Sequence, residues 1–208
     1  VSGTKMLVNT AATLGTIGGG QLEYLAIDEA RTLLSGGAEA RTLDIPLGPE
    51  IGQCCGGHVT LRLQRLDHQT LAALTQQAAA EKDAQPSVFI FGAGHVGRAL
   101  AQAMIPLPLN VLLVDNRADE LSLVPNDTPS KLTPLPEAHV RNAPAGSAFV
   151  ILTHDHALDF LITREALARG DAAYVGMIGS KTTRAPFASW LEDETGSRSM
   201  LDSLTMPI

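Results

Sequence analysis

Residues 88–100 read VFIFGAGHVGRAL, and this stretch decides the fold. A short apolar run, a glycine-rich turn and the start of a helix follow one another here, as in the first strand–helix unit of a dinucleotide-binding sheet. In such a unit Gly92 permits the tight turn, Gly94 lets the backbone approach a pyrophosphate, and Gly97 lets the helix pack closely on the strand. The alternative is that the glycines serve close packing alone.

Two further residues near this turn are candidate ligand contacts. Asp115 lies 18 positions beyond Gly97, at the end of the next apolar run, where an acidic side chain can bind a ribose hydroxyl. His95 lies just inside the turn and faces either a ligand or the solvent. Because the turn has the strand, the helix and the acid that the pattern requires, we predict that it binds a nucleotide-type ligand.

The alternation of apolar runs and helical segments continues to the end of the chain. Apolar runs separated by helices indicate a parallel sheet that is covered on both faces. We therefore predict an α/β fold in which residues 87–208 form a Rossmann-like domain with strand order 3-2-1-4-5. The runs that supply its strands are 88–91, 110–114, 131–135, 148–152 and 172–178.

The chain before Pro86 has a different pattern. Residues 1–67 contain short β-like runs around one helix, which predicts a small α+β domain. Residues 68–86 are rich in Ala and Gln and are predicted to form a helical linker. The helix of the first domain follows the turn Gly18-Gly19-Gly20, so its N-terminus is a candidate anion site. Glu23 lies in its first turn, and the alternative to a functional role is that a negative charge is favourable there in any case.

Two loops after later strands are expected at the same edge of the sheet as the glycine turn. The first reads Thr153-His154-Asp155-His156 and follows the fourth apolar run. His154 and Asp155 are candidate ligand contacts. Two alternatives remain open, since Thr153 or Asp155 can cap the following helix and the His-Asp-His run can bind a metal.

The second loop contains Gly179, Ser180 and Lys181 and follows the fifth apolar run. Free N–H groups at a helix start bind anions, and the positive charges of Lys181 and Arg184 would strengthen that binding. The alternative is that Ser180 is an ordinary helix cap.

Cys54 and Cys55 are the only cysteines, and they are adjacent. A disulfide between neighbours is strained, and no CxxC pattern is present, so we expect reactive or ligand-binding thiols. The flanking Gly56 and Gly57 leave room for a bulky ligand, and thiolates suit soft metals and sulfur transfer. The alternative is a pair of small buried apolar side chains.

Composition excludes several classes of function. The net charge of the 208 residues is −7 and aromatic residues make up 4%, so we expect no nucleic-acid partner. No apolar stretch has the roughly 20 residues that span a bilayer, and no signal segment is visible, so we expect a cytoplasmic protein without a membrane partner. Because the chain starts at Val1 and stops at Ile208, we expect that it is part of a longer one.

Taken together, these segments resemble the xanthine dehydrogenase accessory protein family (XdhC/CoxI). The matching pieces run in the family's order and cover most of the chain. They are GTIGGGQLE (15–23), QCCGGHVTL (53–61), VFIFGAGHVGRAL (88–100), FVILTHDHALD (149–159) and YVGMIGSKTTR (174–184).

The resemblance implies a cytoplasmic protein that binds molybdenum cofactor, the molybdopterin complex of molybdenum. It also implies two partners: a cysteine desulfurase that supplies sulfur to the cofactor, and a xanthine dehydrogenase-type molybdoenzyme that receives it. A homodimer is a further expectation. By position, Cys54 and Cys55 become candidate contacts of the molybdenum or its sulfur, and the glycine turn becomes a site for the phosphate or dinucleotide tail. The family often has Cys where this chain has Met206.

Two other functions compete with this cofactor-binding maturation factor. The glycine turn and Asp115 also fit an NAD(P)-dependent oxidoreductase, in which His154 or His156 would act as the acid or base. A regulatory nucleotide-binding module without chemistry is the third. The fold by itself does not choose among them.

Overall fold

The computed structural model describes residues 3–48 and 56–208. The chain forms two compact units, Val1–Thr75 and Gln76–Ile208. The boundary between the units falls inside helix α2 (His68–Asp83). This one helix covers most of residues 68–86, the predicted helical linker. Asp67 caps this helix by accepting a hydrogen bond of 2.7 Å from the Thr70 N–H.

The first unit contains two antiparallel strand pairs and one long helix. The bounds are β1 (Met6–Val8), β2 (Thr13–Gly15), α1 (Gly20–Gly36), β3 (Ala40–Pro46) and β4 (His58–Gln64). Strand β1 pairs with β2, and β3 pairs with β4. The buried face of α1 carries Leu22, Ala26 and Leu33, and the helix ends at Gly37 in the left-handed region. The predicted small α+β region is confirmed.

The second unit is built on a six-stranded parallel sheet with strand order β10-β9-β8-β5-β6-β7. The predicted order 3-2-1-4-5 is therefore confirmed, and the Rossmann-like fold with it. The sixth strand is an addition that the sequence did not predict. The strands are β5 (Ser87–Phe91), β6 (Asn110–Asp115), β7 (Ser130–Leu132), β8 (Ala148–Ile151), β9 (Tyr174–Met177) and β10 (Leu204–Thr205).

Helices connect these strands. They are α3 (His95–Met104), α4 (Ala118–Ser122), α5 (Glu137–Arg141), α6 (His156–Ala168) and α7 (Lys181–Thr195), with a 3-10 helix at Ser199–Ser203 before β10. None of the helices in residues 3–48 and 56–208 is long and apolar enough to span a bilayer.

The two faces of the sheet carry separate cores. One core includes Phe91 and Phe149 of the sheet together with Ile162 of α6 and Phe187 of α7. The other packs the opposite sheet face against α3 through side chains such as Ile90, Leu113 and Ala101. Because both faces are covered, β5, β6 and β8 are apolar at consecutive positions, as the sequence pattern indicates.

Candidate functional site

The loops that follow β5, β6, β8 and β9 meet at one edge of the sheet. The Gly92 N–H donates to the Val114 carbonyl at 2.8 Å, and the Leu152 N–H donates to the Phe91 carbonyl at 2.8 Å. The Ile178 N–H donates to the Ile151 carbonyl at 2.7 Å. These bonds join the four loops in strand order, so the structure brings the predicted loops together.

Gly92 and Gly97 hold the glycine loop against its neighbours. Gly92 has φ +115°, and a Cβ there would lie 2.3 Å from the Leu152 carbonyl oxygen and 3.1 Å from the Thr153 Cα. A Cβ on Gly97 would lie 1.8 Å from the Gly92 carbonyl oxygen. Only glycine fits either position, and the loop at 153–156 touches the glycine loop directly.

Gly94 differs from its two neighbours because the space beside it is open. It has φ −64° and ψ −176°, and a Cβ there would meet no atom within 4 Å. The first hydrogen bond of α3 runs from the Arg98 N–H to the Gly94 carbonyl, so the N–H groups of residues 95–97 point out of the helix end. His95 is exposed at this end. Open space beside free N–H groups is what an incoming phosphate requires.

Asp115 lies at the predicted place, but its carboxylate is already engaged within the protein. The residue is only 5% exposed. Its Oδ2 accepts hydrogen bonds from the Ala93 N–H at 2.6 Å and from Arg117 at 2.9 Å, and its Oδ1 accepts two more from Arg117. Burial alone would raise the pKa of Asp115, yet the hydrogen bonds from Arg117 and Ala93 outweigh it and hold the pKa below its usual value.

Arg117 also belongs to a wider network of charged side chains that the sequence analysis missed. Its guanidinium lies 3.5 Å from Glu120, and Glu120 forms an ion pair of 2.6 Å with Arg98 of α3. Arg98 in turn donates to the Ala93 carbonyl in the glycine loop. The pair Asp115 and Arg117, two positions apart at the end of a strand, is the signal that could have revealed this network.

In the loop after β8, Asp155 caps α6. Its Oδ1 accepts a hydrogen bond of 2.9 Å from the Ala157 N–H, which matches the capping alternative. His154 is exposed in the same loop. Within residues 3–48 and 56–208, no three His, Cys, Asp or Glu side chains are grouped so that they could hold a metal ion.

Asp159 is a second buried carboxyl at this edge, and the sequence analysis did not assign it. It is 0% exposed, and its Oδ1 accepts hydrogen bonds from the Thr153 N–H at 2.9 Å and the Thr153 hydroxyl at 2.7 Å. Its Oδ2 lies 3.5 Å from Nδ1 of His156, whose side chain is mostly exposed. Burial raises the pKa of Asp159, although the hydrogen bonds from Thr153 and His156 act in the opposite direction.

The loop after β9 forms the start of α7. Gly179 lies against Met206, since a Cβ there would be 2.5 Å from the Met206 Cε. Ser180 is the N-cap, and its N–H donates to the Thr183 hydroxyl at 3.4 Å. Lys181 is the first residue of α7. Arg184 was predicted to strengthen anion binding at this helix start. Its guanidinium instead donates to the carbonyls of Met206 at 3.0 Å and Leu201 at 3.5 Å.

The glycine-rich loop before α1 is held by a carboxylate of the helix itself. The Glu23 carboxylate accepts hydrogen bonds from the Thr16 hydroxyl at 2.5 Å and from the N–H groups of Ile17 and Gly19 at 3.0 Å. The hydrogen bond from Thr16, followed by those from Ile17 and Gly19, lowers the pKa of Glu23. Glu23 therefore fixes the loop that leads into α1, while α1 itself has no side-chain cap.

Cys54 and Cys55 lie outside the described residues, so their assignment as reactive or ligand-binding thiols stays a prediction. A cavity of about 540 Å³ lies beside the glycine loop, but its lining is almost wholly apolar and includes none of the predicted site residues. Its ten lining residues are Val88, Val96, Leu100, Met104, Ala148, Val150, Leu152, Tyr174, Ile178 and Ile208.

A parallel sheet with a glycine loop at its carboxyl edge places the second unit among the Rossmann-type domains. Comparison with protein families gives the particular assignment. The model of the XdhC Rossmann domain matches residues 88–208, more than half of the chain, and the model of the XdhC and CoxI family matches residues 1–45. The chain belongs to the XdhC and CoxI family, as its motifs predict.

One solved structure supports the fold, and a second shows a weaker likeness. A protein described as a xanthine dehydrogenase from Bacillus halodurans is 17% identical, with a TM-score of 0.75 over 98% of this chain and 78% of that one. The NAD(P)-binding domain of an exopolyphosphatase-related protein from Archaeoglobus fulgidus is 18% identical, with a TM-score of 0.40 over 49% of this chain and 80% of that one. No curated protein matches the chain significantly. At such identities the first likeness establishes the fold alone.

Proposed function

We propose that this protein binds molybdenum cofactor, assists its sulfuration and hands it to a xanthine dehydrogenase-type molybdoenzyme. Membership of the XdhC and CoxI family supports this maturation role. The observation that carries it at the level of the site is the open glycine loop, in which a Cβ on Gly94 would meet no atom within 4 Å.

The chemistry of the cofactor fits the residues present. Molybdopterin carries a phosphate, and the N–H groups of residues 95–97 at the open start of α3 suit a phosphate. Thr153 lies against Gly92, and in this proposal the next two residues of that loop, His154 and Asp155, contribute to the same cradle. Ser180 and Lys181 follow the next strand of the sheet and would bound the cradle on that side.

Cys54 and Cys55 would hold the metal end of the cargo. Thiolates are soft ligands that suit molybdenum and its sulfur. Sulfur for the cofactor would come from a cysteine desulfurase, the second partner in this proposal. A homodimer remains a further part of it, and the proposed role is that of a carrier in the cytoplasm rather than an enzyme with rapid turnover.

An NAD(P)-dependent oxidoreductase is supported less well. That function would use Asp115 to bind a ribose hydroxyl, and this carboxylate already accepts four hydrogen bonds from Ala93 and Arg117. A regulatory nucleotide-binding module would make the same demand on Asp115.

Replacement of the thiols tests the proposal. In Cys54→Ser, Cys55→Ser and the double variant the side-chain volume is nearly kept and the soft ligand is lost, so we expect cofactor retention to fall about tenfold or more. Stoichiometric binding of purified molybdenum cofactor and activation of a molybdoenzyme are the measurements. Thermal melting is the control, and Ser122→Ala, which removes a hydroxyl from an exposed helix end, is the matched variant. Unchanged retention and delivery in all three cysteine variants would refute thiol ligation.

A further inference from the structure

We infer that Arg117 is a specificity-determining residue that closes the ribose subsite of the glycine loop. The loop then binds its ligand through a terminal phosphate and excludes dinucleotides of the ADP-ribose type. The inference rests on the proposed function only in taking the glycine loop to be a phosphate site.

The position of Asp115 identifies the ribose subsite that Arg117 closes. In open parallel sheets with a glycine-rich first turn, the acid at the end of the second strand binds the ribose hydroxyls of a dinucleotide. Asp115 ends β6, which is the second strand of the sheet and lies beside β5 and the glycine loop. A dinucleotide that binds in the usual manner would therefore bring its ribose to this carboxylate.

The carboxylate has no acceptor capacity left for a ribose. A carboxylate offers about four lone-pair sites. At Oδ1 they are taken by the N–H and Nε of Arg117 at 2.9 and 3.0 Å, and at Oδ2 by the Ala93 N–H at 2.6 Å and an Arg117 Nη at 2.9 Å. Sugar hydroxyls could bind only if Arg117 left.

Arg117 is held too firmly to leave at low cost. Its fork is bidentate on Asp115, which is the stronger geometry for such pairs. Its departure would unpair a carboxylate that is only 5% exposed, and a buried charge without a partner is strongly destabilising. Glu120, itself paired with Arg98, contacts the remaining side of the guanidinium.

The same network offers no attraction to an additional phosphate on the ribose. The carboxylates of Asp115 and Glu120 balance the charges of Arg117 and Arg98, so the four side chains carry no net charge. An arginine that serves a 2′-phosphate needs its charge free for that phosphate. The geometry therefore excludes NADPH as well as NADH.

Removal of Arg117 should open the subsite. We would titrate NADH, NADPH and ADP-ribose into the full chain and into Arg117→Ala and Arg117→Met by calorimetry. The parent should bind each with a Kd above about 1 mM, whereas both variants should bind NADH and ADP-ribose about tenfold tighter or more. Adding Asp115→Asn to either variant should abolish that gain, because the freed carboxylate is the acceptor.

Arg141→Ala is the matched control, since it removes an exposed arginine of the same unit whose partner is Glu165 at 3.5 Å. It should leave NADH affinity unchanged. Thermal melting checks folding, and Arg117→Lys keeps a positive charge beside Asp115 if the neutral variants are unstable. Because lysine lacks the planar fork, it frees an acceptor site of the carboxylate and should also bind NADH more tightly than the parent. The gain should appear in whichever variant melts as the parent does.

Three results would overturn the inference. Tight binding of NADH by the parent would show an open ribose subsite, and tight binding of NADPH that is lost in Arg117→Ala would make Arg117 a phosphate ligand. No gain of NADH affinity in folded Arg117 variants would show that the arginine closes nothing. Retention of molybdenum cofactor by the same parent preparation is measured separately, so a failure of the proposed function is distinguished from a failure of this inference.

Discussion

Asp115 and Asp159 are both buried at the carboxyl edge of the sheet, yet their pKa values move in opposite directions. Asp115 receives hydrogen bonds from a guanidinium as well as from backbone N–H groups, and these lower its pKa despite burial. Asp159 has only Thr153 and the distant ring of His156, and burial raises its pKa. Burial acts to raise the pKa of both carboxyls, and the guanidinium of Arg117 is what reverses the direction at Asp115.

At the same scale, substitutions at Gly94 and Gly97 test ligand binding and packing separately. We expect Gly94→Val to change the free energy of unfolding by less than about 1 kcal/mol, because its Cβ enters open space at a helix N-cap. The valine should nevertheless reduce the affinity for purified molybdenum cofactor about tenfold, since it fills the space that a phosphate needs.

Gly97→Ala is the matched control for that variant. Its Cβ would lie 1.8 Å from the Gly92 carbonyl oxygen, and we expect it to destabilise the protein by about 1–3 kcal/mol. Urea unfolding and cofactor titration measure the two effects. A Gly94→Val protein that binds cofactor as the parent does would leave this glycine without a role in binding.

At the scale of elements, helix starts differ in whether the protein already fills them. Glu23 accepts N–H groups at the loop before α1, Asp155 caps α6, and Ser180 with Thr183 caps α7. Helices α1 and α3 both lack a side-chain cap, but only α3 starts at the sheet edge where the loops after β5, β6, β8 and β9 meet. Because its N–H groups face open space beside Gly94 at that edge, α3 is the start best suited to bind a phosphate.

The edge strand β10 depends on Arg184. The strand has only two residues in register with β9, Leu204 with Val175 and Thr205 with Gly176. Arg184 fixes the segment by donating to the Met206 carbonyl at 3.0 Å. We expect Arg184→Met to destabilise the protein by about 1.5–3 kcal/mol, the usual worth of hydrogen bonds to a charged group.

Amide hydrogen exchange should show faster exchange in β10 of this variant, and chemical denaturation gives the free energy. Arg198→Met is the control, because Arg198 pairs with Glu192 at 2.7 Å on an exposed surface and should cost less than about 1 kcal/mol. Equal effects of the two variants would contradict a special role for Arg184.

At the scale of the molecule, the second unit depends on the core between the sheet and helices α6 and α7. Phe149 is 0% exposed and stacks on Phe89 with 5.6 Å between ring centroids. Trp190, the only tryptophan of the chain, packs against Phe160 at 5.6 Å and Phe187 at 6.0 Å. Tryptophan fluorescence therefore reports on the unfolding of this core.

We expect Phe149→Ala to lower the free energy of unfolding by about 3–5 kcal/mol, because it removes a ring from a filled core. The measurement is urea denaturation followed by Trp190 fluorescence. Leu123→Ala, at a residue that is 63% exposed, is the control and should stay within about 0.5 kcal/mol of the parent. A loss below about 1 kcal/mol in Phe149→Ala would contradict the packing described above.

The sequence by itself determined the family, the parallel sheet and its strand order. Those features follow from local patterns, because continuous apolar runs indicate strands covered on both faces and glycine spacing indicates the turn after β5. The role of Gly97 was also readable from the chain, since its Cβ would meet the Gly92 carbonyl oxygen five positions earlier, whereas the atoms that crowd Gly92 belong to Leu152 and Thr153, which only the fold brings beside it. Strand β10 was not predicted, because two residues are too few to show a period.

Only the tertiary structure decided how the charged and polar side chains of the site are used. Asp115 is in the position of a ribose acceptor, but the fold brings the Ala93 N–H and the Arg117 fork onto its carboxylate. Arg184 follows β9, where the sequence predicts a ligand contact. Its guanidinium instead donates to the carbonyls of Leu201 and Met206, because the chain returns to the sheet through β10. The physical reason is that burial and hydrogen bonding depend on which elements meet in space. The pattern of apolar and polar residues along the chain does not indicate which groups those partners will be.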